Sequence, residues 1–159
     1  MKVLVTGFEP FGGSDVNSSW EAVRRIDLQS FCEIELMIQQ IPVTFNGVQN
    51  EIETLLKAAK PDVLVMFGQR ANSKTIDIER VAINMMDAVK PDNDGFCPNE
   101  EVICEDGEAA YYHALRIVED YGLNTRVVFV HVPKISEGMN IAELASRVNE
   151  VIKCILKIV

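Results

Sequence analysis

The strongest constraint on the fold is an uninterrupted apolar run, VLVMF at residues 63–67, which follows Pro61-Asp62 and ends at Gly68. A strand with one face in water alternates apolar and polar side chains, whereas a strand buried on both faces is apolar throughout. Further apolar strands are indicated at residues 3–5 (VLV) and 126–131 (RVVFVH). These runs predict a mostly parallel sheet that is covered by helices on both faces.

Amphipathic patterns typical of helices separate these strands and follow the last one. The sequence Ser18-Ser-Trp-Glu21 indicates a capping box, in which Ser18 caps the first helix and Glu21 bonds back to it. The predicted helices occupy residues 18–26, 44–60, 108–121 and 140–158.

The remaining segments predict two further strands and a loop. Residues 33–41 (EIELMIQQI) are predicted to form a second strand, which Pro42 ends. Residues 75–83 (TIDIERVAI) alternate in their first half and indicate an edge strand or hairpin arm, and residues 87–106 a long loop or hairpin. The order β-α-β-α-β-β-α-β-α predicts one α/β domain over residues 1–159, a three-layer α/β/α sandwich.

Composition argues against several partners and cofactors. The 159 residues carry a net charge of −9 without a cluster of Lys and Arg, so nucleic acid is not expected as a partner. No run is long enough to span a membrane, and the start of the chain lacks a signal-peptide layout. We expect a cytoplasmic protein with free thiols and no bound metal, because paired or metal-ligand spacing is absent among Cys32, Cys97, Cys104, Cys154, His113 and His131.

The loop after the first strand, TGFEPFGG at residues 6–13, is unusually apolar for its place. Phe8 and Phe11 lie where a chain leaving a buried strand ordinarily turns polar. In an open α/β sheet, the loops at the carboxyl ends of the strands are where ligands bind. Two interpretations stay open: the rings cap the core, or they enclose a ligand.

Two titratable residues are candidates for chemistry. Glu79 lies among branched apolar residues in IDIERVAIN (76–84), where a buried carboxylate needs a partner or a proton. The alternative is that Glu79 lies on an exposed strand face. His131 ends an apolar strand, a position suited to general acid or base catalysis. The alternative for His131 is a core histidine held by one hydrogen bond.

Eight short segments occur in one order along the chain: residues 3–13 (VLVTGFEPFGG), 17–23 (NSSWEAV), 41–43 (IPV), 61–62 (PD), 78–84 (IERVAIN), 87–88 (DA), 91–95 (PDNDG) and 130–133 (VHVP). Together they resemble pyroglutamyl peptidase I, a family also called pyrrolidone carboxyl peptidase. The opening loop and the block around Glu79 are the most specific of them. The closing helix resembles the family in type only.

The resemblance implies a cysteine peptidase that removes N-terminal pyroglutamate without a metal or cofactor, on an α/β/α sandwich. It implies that Glu79 and His131 are the acid and the histidine of a Cys–His–acid triad. It also implies that Phe8 and Phe11 enclose the pyroglutamyl ring and that Asn17 lies at the pocket. Family members assemble as dimers or tetramers, so a homo-oligomer is one expectation for this chain.

The chain departs from the family pattern where the nucleophile belongs. Members carry a strand ending in Ser-Asn-(Ser/Thr)-Ala-Gly and then a helix that begins near the catalytic cysteine. Here the predicted helix at 108–121 leads through residues 122–125 (GLNT) directly into the strand that bears His131. We therefore expect a sheet reduced by one strand and one helix, with no cysteine in the matching context. A second departure is residues 71–73 (ANS), which stand where the family usually has Gly-Gly-Arg.

Three functions are compatible with this pattern. The first is a pyroglutamyl peptidase-like protein with impaired catalysis, which still binds a small cyclic amide or a pyroglutamyl group. The second is a hydrolase with a relocated thiol, for which Cys97 and Cys104 are the candidates. The third is a non-enzymatic module that binds a small ligand or another protein through the same fold.

Overall fold

A mostly parallel sheet of five strands organises the computed structural model, which describes residues 1–83, 85–86, 88, 91–101, 110–136 and 138–158. Within these residues the strands are β1 (Lys2–Phe8), β2 (Glu35–Ile41), β3 (Val63–Arg70), β4 (Asp77–Ile78) and β5 (Arg126–Pro133). Their order is β2-β1-β3-β5-β4, and only β4 is antiparallel to its neighbour. The predicted parallel sheet is confirmed.

Helices pack on both faces of this sheet, as the continuous apolar strands predict. They are α1 (Ser18–Val23), α2 (Phe45–Ala59), α3 (Ala110–Asp120) and α4 (Ile141–Ile158), with a short 3-10 turn at Leu28–Phe31. One apolar cluster joins α1 and α4 to side chains such as Val65 and Val130. The other joins α2 and α3 to the alternate side chains, such as Leu64 and Phe129. The chain is therefore an α/β/α sandwich.

Helix α2 illustrates how the sequence sets the limits of an element. Thr44 caps its start, because the Thr44 hydroxyl accepts a hydrogen bond from the Gly47 backbone N–H at 3.1 Å. Val48, Ile52 and Leu56 recur at helical spacing and are buried. Lys60 ends the helix in the left-handed conformation, with φ of 44°. The predicted helix at 44–60 is confirmed.

Two local predictions need correction. Asn17, not Ser18, caps α1, because its side chain accepts from the Ser19 backbone N–H, and Glu21 pairs with Arg24 and Arg25 instead of bonding back. The predicted edge strand at 75–83 is only two residues long, Asp77–Ile78. Helix α3 is described from Ala110, and residues 108–109 of the predicted helix lie outside the described residues.

The topology places the candidate residues at one edge of the sheet. Because β1, β3 and β5 are parallel, their carboxyl ends coincide, and these ends carry Phe8, Arg70 and His131. Within the described part of the chain, no helix has both the length and the apolarity needed to cross a membrane.

Candidate active site

A cavity of about 570 Å³ opens at the carboxyl edge of the sheet. Its wall is mostly apolar, with Glu79, Asp92 and His131 as its titratable carboxylate and imidazole groups among the described residues. The lining side chains come from the ends of β1 and β5, the starts of α2 and α3, and the segment after β4. They are Phe8, Pro42, Val43, Thr44, Phe45, Val48, Glu79, Val81, Ala82, Ile83, Asp92, Ala110, Tyr111, Phe129 and His131.

The register of β5 sets the position of His131 in this wall. His131 lies opposite Gly68 on the β3 side and opposite Asp77 on the β4 side. The Phe129 ring packs edge-on against the imidazole, with centroids 5.1 Å apart. The ring is thus fixed between two strands and an aromatic neighbour, which limits its rotation.

Glu79 faces the imidazole directly. Its Oε2 atom lies 3.4 Å from His131 Nδ1, and its own backbone N–H donates to the Phe129 carbonyl at 2.9 Å. The approach is close enough for an ion pair but does not meet hydrogen-bond geometry, so Nδ1 is buried without a described hydrogen-bond partner. Catalytic hydrogen bonds are often long in the absence of substrate and shorten when it binds.

The surroundings of His131 favour the neutral form of its ring. Burial lowers the pKa of His131 below its ordinary value, and the positive charge of Arg70 lowers it further. The carboxylates of Glu79 and Asp77 oppose this shift but do not reverse it. A neutral imidazole beside a carboxylate is the form that can accept a proton from a nucleophile.

Asp77 is held in place by the turn that precedes β4. Its carboxylate accepts hydrogen bonds from the hydroxyls of Ser73 and Thr75, both at 2.9 Å. These bonds lower the pKa of Asp77, with smaller contributions from Arg70 and His131. Asp77 therefore provides a fixed negative charge on the strand next to His131.

Aromatic side chains form the floor of the cavity. Phe129 lies between Phe8 and Tyr111, with ring centroids 6.3 Å and 5.8 Å away. Burial raises the pKa of Tyr111, and the nearby negative charge of Glu79 adds to the rise. The floor thus presents ring faces and an un-ionised phenol, which suit a small apolar ring with polar edges.

Hydrogen bonds join the opening loop to two segments that are distant from it in sequence. Glu9 Oε1 accepts from the Val43 backbone N–H at 3.0 Å and from the Asn93 side-chain amide at 2.8 Å. Asp92 Oδ2 accepts from the Phe45 backbone N–H at 2.9 Å. These hydrogen bonds therefore link three segments, separate in sequence, that contribute Phe8, Pro42, Val43 and Asp92 to the wall of the cavity.

The structure brings together Phe8, Glu79 and His131, but it places Phe11 and Asn17 elsewhere. Phe11 is 36% exposed and is not among the described residues that line the cavity. Asn17 is 2% exposed, caps α1 and donates from its side-chain amide to the Glu9 carbonyl at 2.9 Å. Its contact with the site is thus indirect, through the loop that carries Phe8.

The described cysteines do not line this cavity. Cys32, Cys97 and Cys154 are exposed, and the Cys97 thiol donates to the Ala88 carbonyl at 3.3 Å. Cys104 lies outside the described residues. Among the side chains that the structure describes, there is also no group of three His, Cys, Asp or Glu arranged to hold a metal ion.

Sequence reasoning did not identify four residues of the site: Arg70, Asp77, Tyr111 and Phe129. Arg70 Nη2 lies 3.5 Å from Glu79 Oε2, a contact between two strand ends that no local pattern indicates. Phe129 is part of an apolar strand whose neighbours face both layers, so only the position of His131 two residues later hints at the side on which it lies.

A family profile and individual relatives of known sequence identify the same group of proteins as similar to this chain. The sequence profile described as pyroglutamyl peptidase matches residues 1–119. The pyrrolidone-carboxylate peptidase of Thermococcus onnurineus is 48% identical over 117 residues, which cover 74% of this chain and 58% of that protein. The one of Thermococcus kodakarensis is 35% identical over 168 aligned residues, covering 84% of this chain and 81% of that protein. The chain thus spans 58% of the length of the first relative.

Solved structures agree with this relationship. The pyroglutamyl peptidase I of Bacillus amyloliquefaciens superposes with a TM-score of 0.84 at 26% identity, covering 93% of each chain. A mutant pyrrolidone carboxyl peptidase from Pyrococcus furiosus superposes with a TM-score of 0.89 at 25% identity, covering 99% of each chain. The similarity therefore includes the sheet and both helical layers.

Proposed function

Because the chain belongs to the pyroglutamyl peptidase family, we propose that it binds an N-terminal pyroglutamyl group, or a similar small cyclic amide, with impaired peptidase chemistry. The observation that carries this proposal is the contact of Glu79 with His131 beside the aromatic floor of the cavity. Glu79 Oε2 lies 3.4 Å from His131 Nδ1. The two residues that we propose as the acid and the histidine of a Cys–His–acid triad are thus adjacent. No cysteine among the described residues lines the same cavity.

The chemistry of the wall supports a small lactam as the ligand. A pyrrolidone ring is apolar on its faces and carries one N–H and one carbonyl on its edge. Phe8, Phe129 and Tyr111 offer ring faces, and Glu79 and His131 offer polar atoms at the rim. We propose that Phe11 and Asn17 contribute from the loop around Phe8, Phe11 by closing over the ligand and Asn17 by holding the Glu9 carbonyl.

The length of the alignment supports the proposal that this chain lacks the segment that carries the nucleophile. The match to the Thermococcus kodakarensis protein runs over 168 aligned residues, more than the 159 of this chain. The relative therefore has residues within the matched region for which this chain has no counterpart. A triad without its thiolate retains little covalent catalysis, because the imidazole then has no nucleophile to activate.

Binding and turnover are measured separately. In a calorimetric titration with pyroglutamyl-alanine amide, we expect saturable binding. Phe8→Ala should weaken this binding, and Phe8→Leu should largely preserve it. Phe11→Ala reports whether that ring also closes over the ligand. Binding that is unchanged in Phe8→Ala contradicts the assignment of the pocket.

Hydrolysis of a chromogenic pyroglutamyl amide tests the impairment. We expect no release of the chromophore above the uncatalysed rate. Turnover that Glu79→Ala abolishes would overturn the proposed impairment while leaving the pocket assignment intact.

A relocated thiol is the second candidate, and Cys97 is disfavoured because its exposed thiol donates to the Ala88 carbonyl and does not line the cavity. Ala110 and Tyr111, at the start of α3, line the cavity, and Cys104 precedes Ala110 by six residues in the sequence. Six residues of chain reach at most about 20 Å. If turnover is found, Cys104→Ser should abolish it and Cys97→Ser should not. Equal loss in both variants, or in neither, excludes this mechanism.

An interaction module is the third candidate, because the rim of the cavity is apolar and exposed. Val81 is 66% exposed and Ile83 52% exposed, next to the sheet edge formed by β4. Exposed apolar patches are typical of surfaces that bind another protein or a second copy of the chain. Analytical ultracentrifugation over a wide dilution range tests self-association, and a monomer at every concentration excludes the homo-oligomer.

A further inference from the structure

Two cationic or potentially cationic groups approach the same carboxylate oxygen in the candidate site. Glu79 Oε2 lies 3.4 Å from His131 Nδ1 and 3.5 Å from Arg70 Nη2. A second contact of this carboxylate is local: Glu79 Oε1 accepts from the Arg80 backbone N–H at 3.3 Å. The oxygen that faces the imidazole is therefore shared with a guanidinium.

The strand register brings Arg70 to this position. Arg70 is the last residue of β3 and lies opposite Pro133 of β5, two pairs beyond the pair of Gly68 with His131. Its carbonyl accepts from the Ser73 backbone N–H at 3.1 Å, which starts the turn toward β4 and Glu79. The guanidinium thus extends across the ends of two strands to reach the carboxylate.

The exposure of this ion pair argues against a role in stability. The Arg70 side chain is 50% exposed and that of Glu79 33% exposed, and ion pairs in such surroundings contribute little to folding. The His131 side chain is only 20% exposed, so it is screened less by water than its two partners. A change in the Arg70 contact should therefore affect the imidazole more than the fold.

We propose that Arg70 is a positioning residue of this site, which competes with His131 for Glu79 Oε2 and so weakens the hold of the carboxylate on the imidazole. The proposal rests on the assignment of Glu79 and His131 made above and adds a third member to that pair. The charged groups that face His131 are Glu79 from the segment after β4, Asp77 from β4 and Arg70 from β3.

The consequence is a histidine kept neutral despite two neighbouring carboxylates. When Arg70 occupies Oε2, Glu79 attracts the imidazolium form less strongly, and the guanidinium charge also repels that form. Both effects act in the same direction, in agreement with the lowered pKa of His131. A base that stays unprotonated near pH 7 is the form needed to accept a proton.

Proton NMR of the two histidines tests the proposal without any substrate. The chain contains only His113 and His131, so the two ring signals can be assigned with His131→Gln, and buried His113 serves as internal reference. Arg70→Gln is expected to increase the proton affinity of His131 about three- to tenfold. Arg80→Gln, which removes the same charge from the residue next to Glu79, is the matched control and should change this affinity less than twofold.

A double-mutant comparison separates competition for Oε2 from simple charge repulsion. Arg70→Gln should raise the pKa of His131 in both backgrounds. In the Glu79→Gln background this rise should be less than half of the rise in the native background. Arg70→Lys, which keeps the charge, should restore most of the native value. An equal effect of Arg70→Gln in both backgrounds, or no effect in the native one, overturns the proposal.

The outcome is independent of the test of function. If the pyroglutamyl ligand fails to bind but Arg70→Gln shifts the titration as expected, the proposed function fails and the positioning role stands. If the ligand binds and the titration is unchanged, the positioning role fails alone.

Discussion

The substitution Gly7→Ala should destabilise the fold strongly, because α1 crosses β1 at this glycine with no room for a side chain. A Cβ atom at Gly7 would lie 2.8 Å from Trp20 Cα, 2.9 Å from Trp20 N and 3.0 Å from Ser19 C. All three are backbone atoms, so no side-chain rotation relieves the contact. The helix would have to move away from the sheet.

The attachments of α1 make this movement costly. The Ser19 hydroxyl accepts from the Phe8 backbone N–H at 3.0 Å, and the Ser18 backbone N–H donates to Gln69 Oε1 at 2.8 Å. Overpacking a core costs about 1–3 kcal/mol, and losing one such hydrogen bond adds about 1 kcal/mol. We therefore expect Gly7→Ala to lower the free energy of unfolding by about 2–4 kcal/mol.

Urea unfolding measures this loss. With a slope of about 2 kcal/mol per M, the midpoint should fall by about 1–2 M. Gly12→Ala is the control, because φ is +61° there but nothing lies within 4 Å of the added atom. That substitution should cost only about 1 kcal/mol of conformational strain. A loss for Gly7→Ala no larger than that for Gly12→Ala would refute the reasoning from close approach.

Three further predictions concern helix ends and titration. Thr44→Ala removes the cap of α2 and should lower the free energy of unfolding by about 1 kcal/mol in urea. Lys60→Gly relieves a left-handed backbone and should raise it by about 0.5–1 kcal/mol in the same assay, and a decrease would contradict the strain argument. Burial lowers the pKa of both His113 and His131, so the unfolded chain binds more protons than the folded one below pH about 6.5. The free energy of unfolding should therefore be greatest above that pH and should decrease as the pH falls through the lowered pKa values of the two histidines. Unfolding curves that coincide at about pH 7.5 and pH 5.5 would exclude this linkage.

The interior strands could be predicted because consecutive apolar residues indicate a strand that is buried on both faces. The runs at 63–67 and 126–131 contain apolar residues at successive positions, and the structure places alternate side chains in the two helical layers. The edge was harder to predict. The alternation at 75–83 indicates a strand, but only Asp77 and Ile78 pair with β5, and the alternation does not show where this pairing ends.

The site shows the same division between local and distant information. His131 is fixed by its own strand, and its place at the carboxyl edge follows from the sequence pattern. The role of Arg70 depends on a contact across two strand ends, so no local pattern indicates it. Similarly, the preference for Asn17 over Ser18 as the cap depends on the buried position of both side chains between the loop and the helix.

The hydrogen bonds that link the segments of the cavity wall have a consequence for the order of folding. They join Glu9 to Val43 and Asn93 across 34 and 84 residues of chain, and Phe45 to Asp92 across 47. Each closure costs chain entropy that local elements such as α2 do not incur, so we expect the wall to form only after the sheet has brought these segments together. We therefore expect the cavity to form late in folding, and a sub-global opening that frees residues 91–96 should disrupt its wall before the sheet is lost.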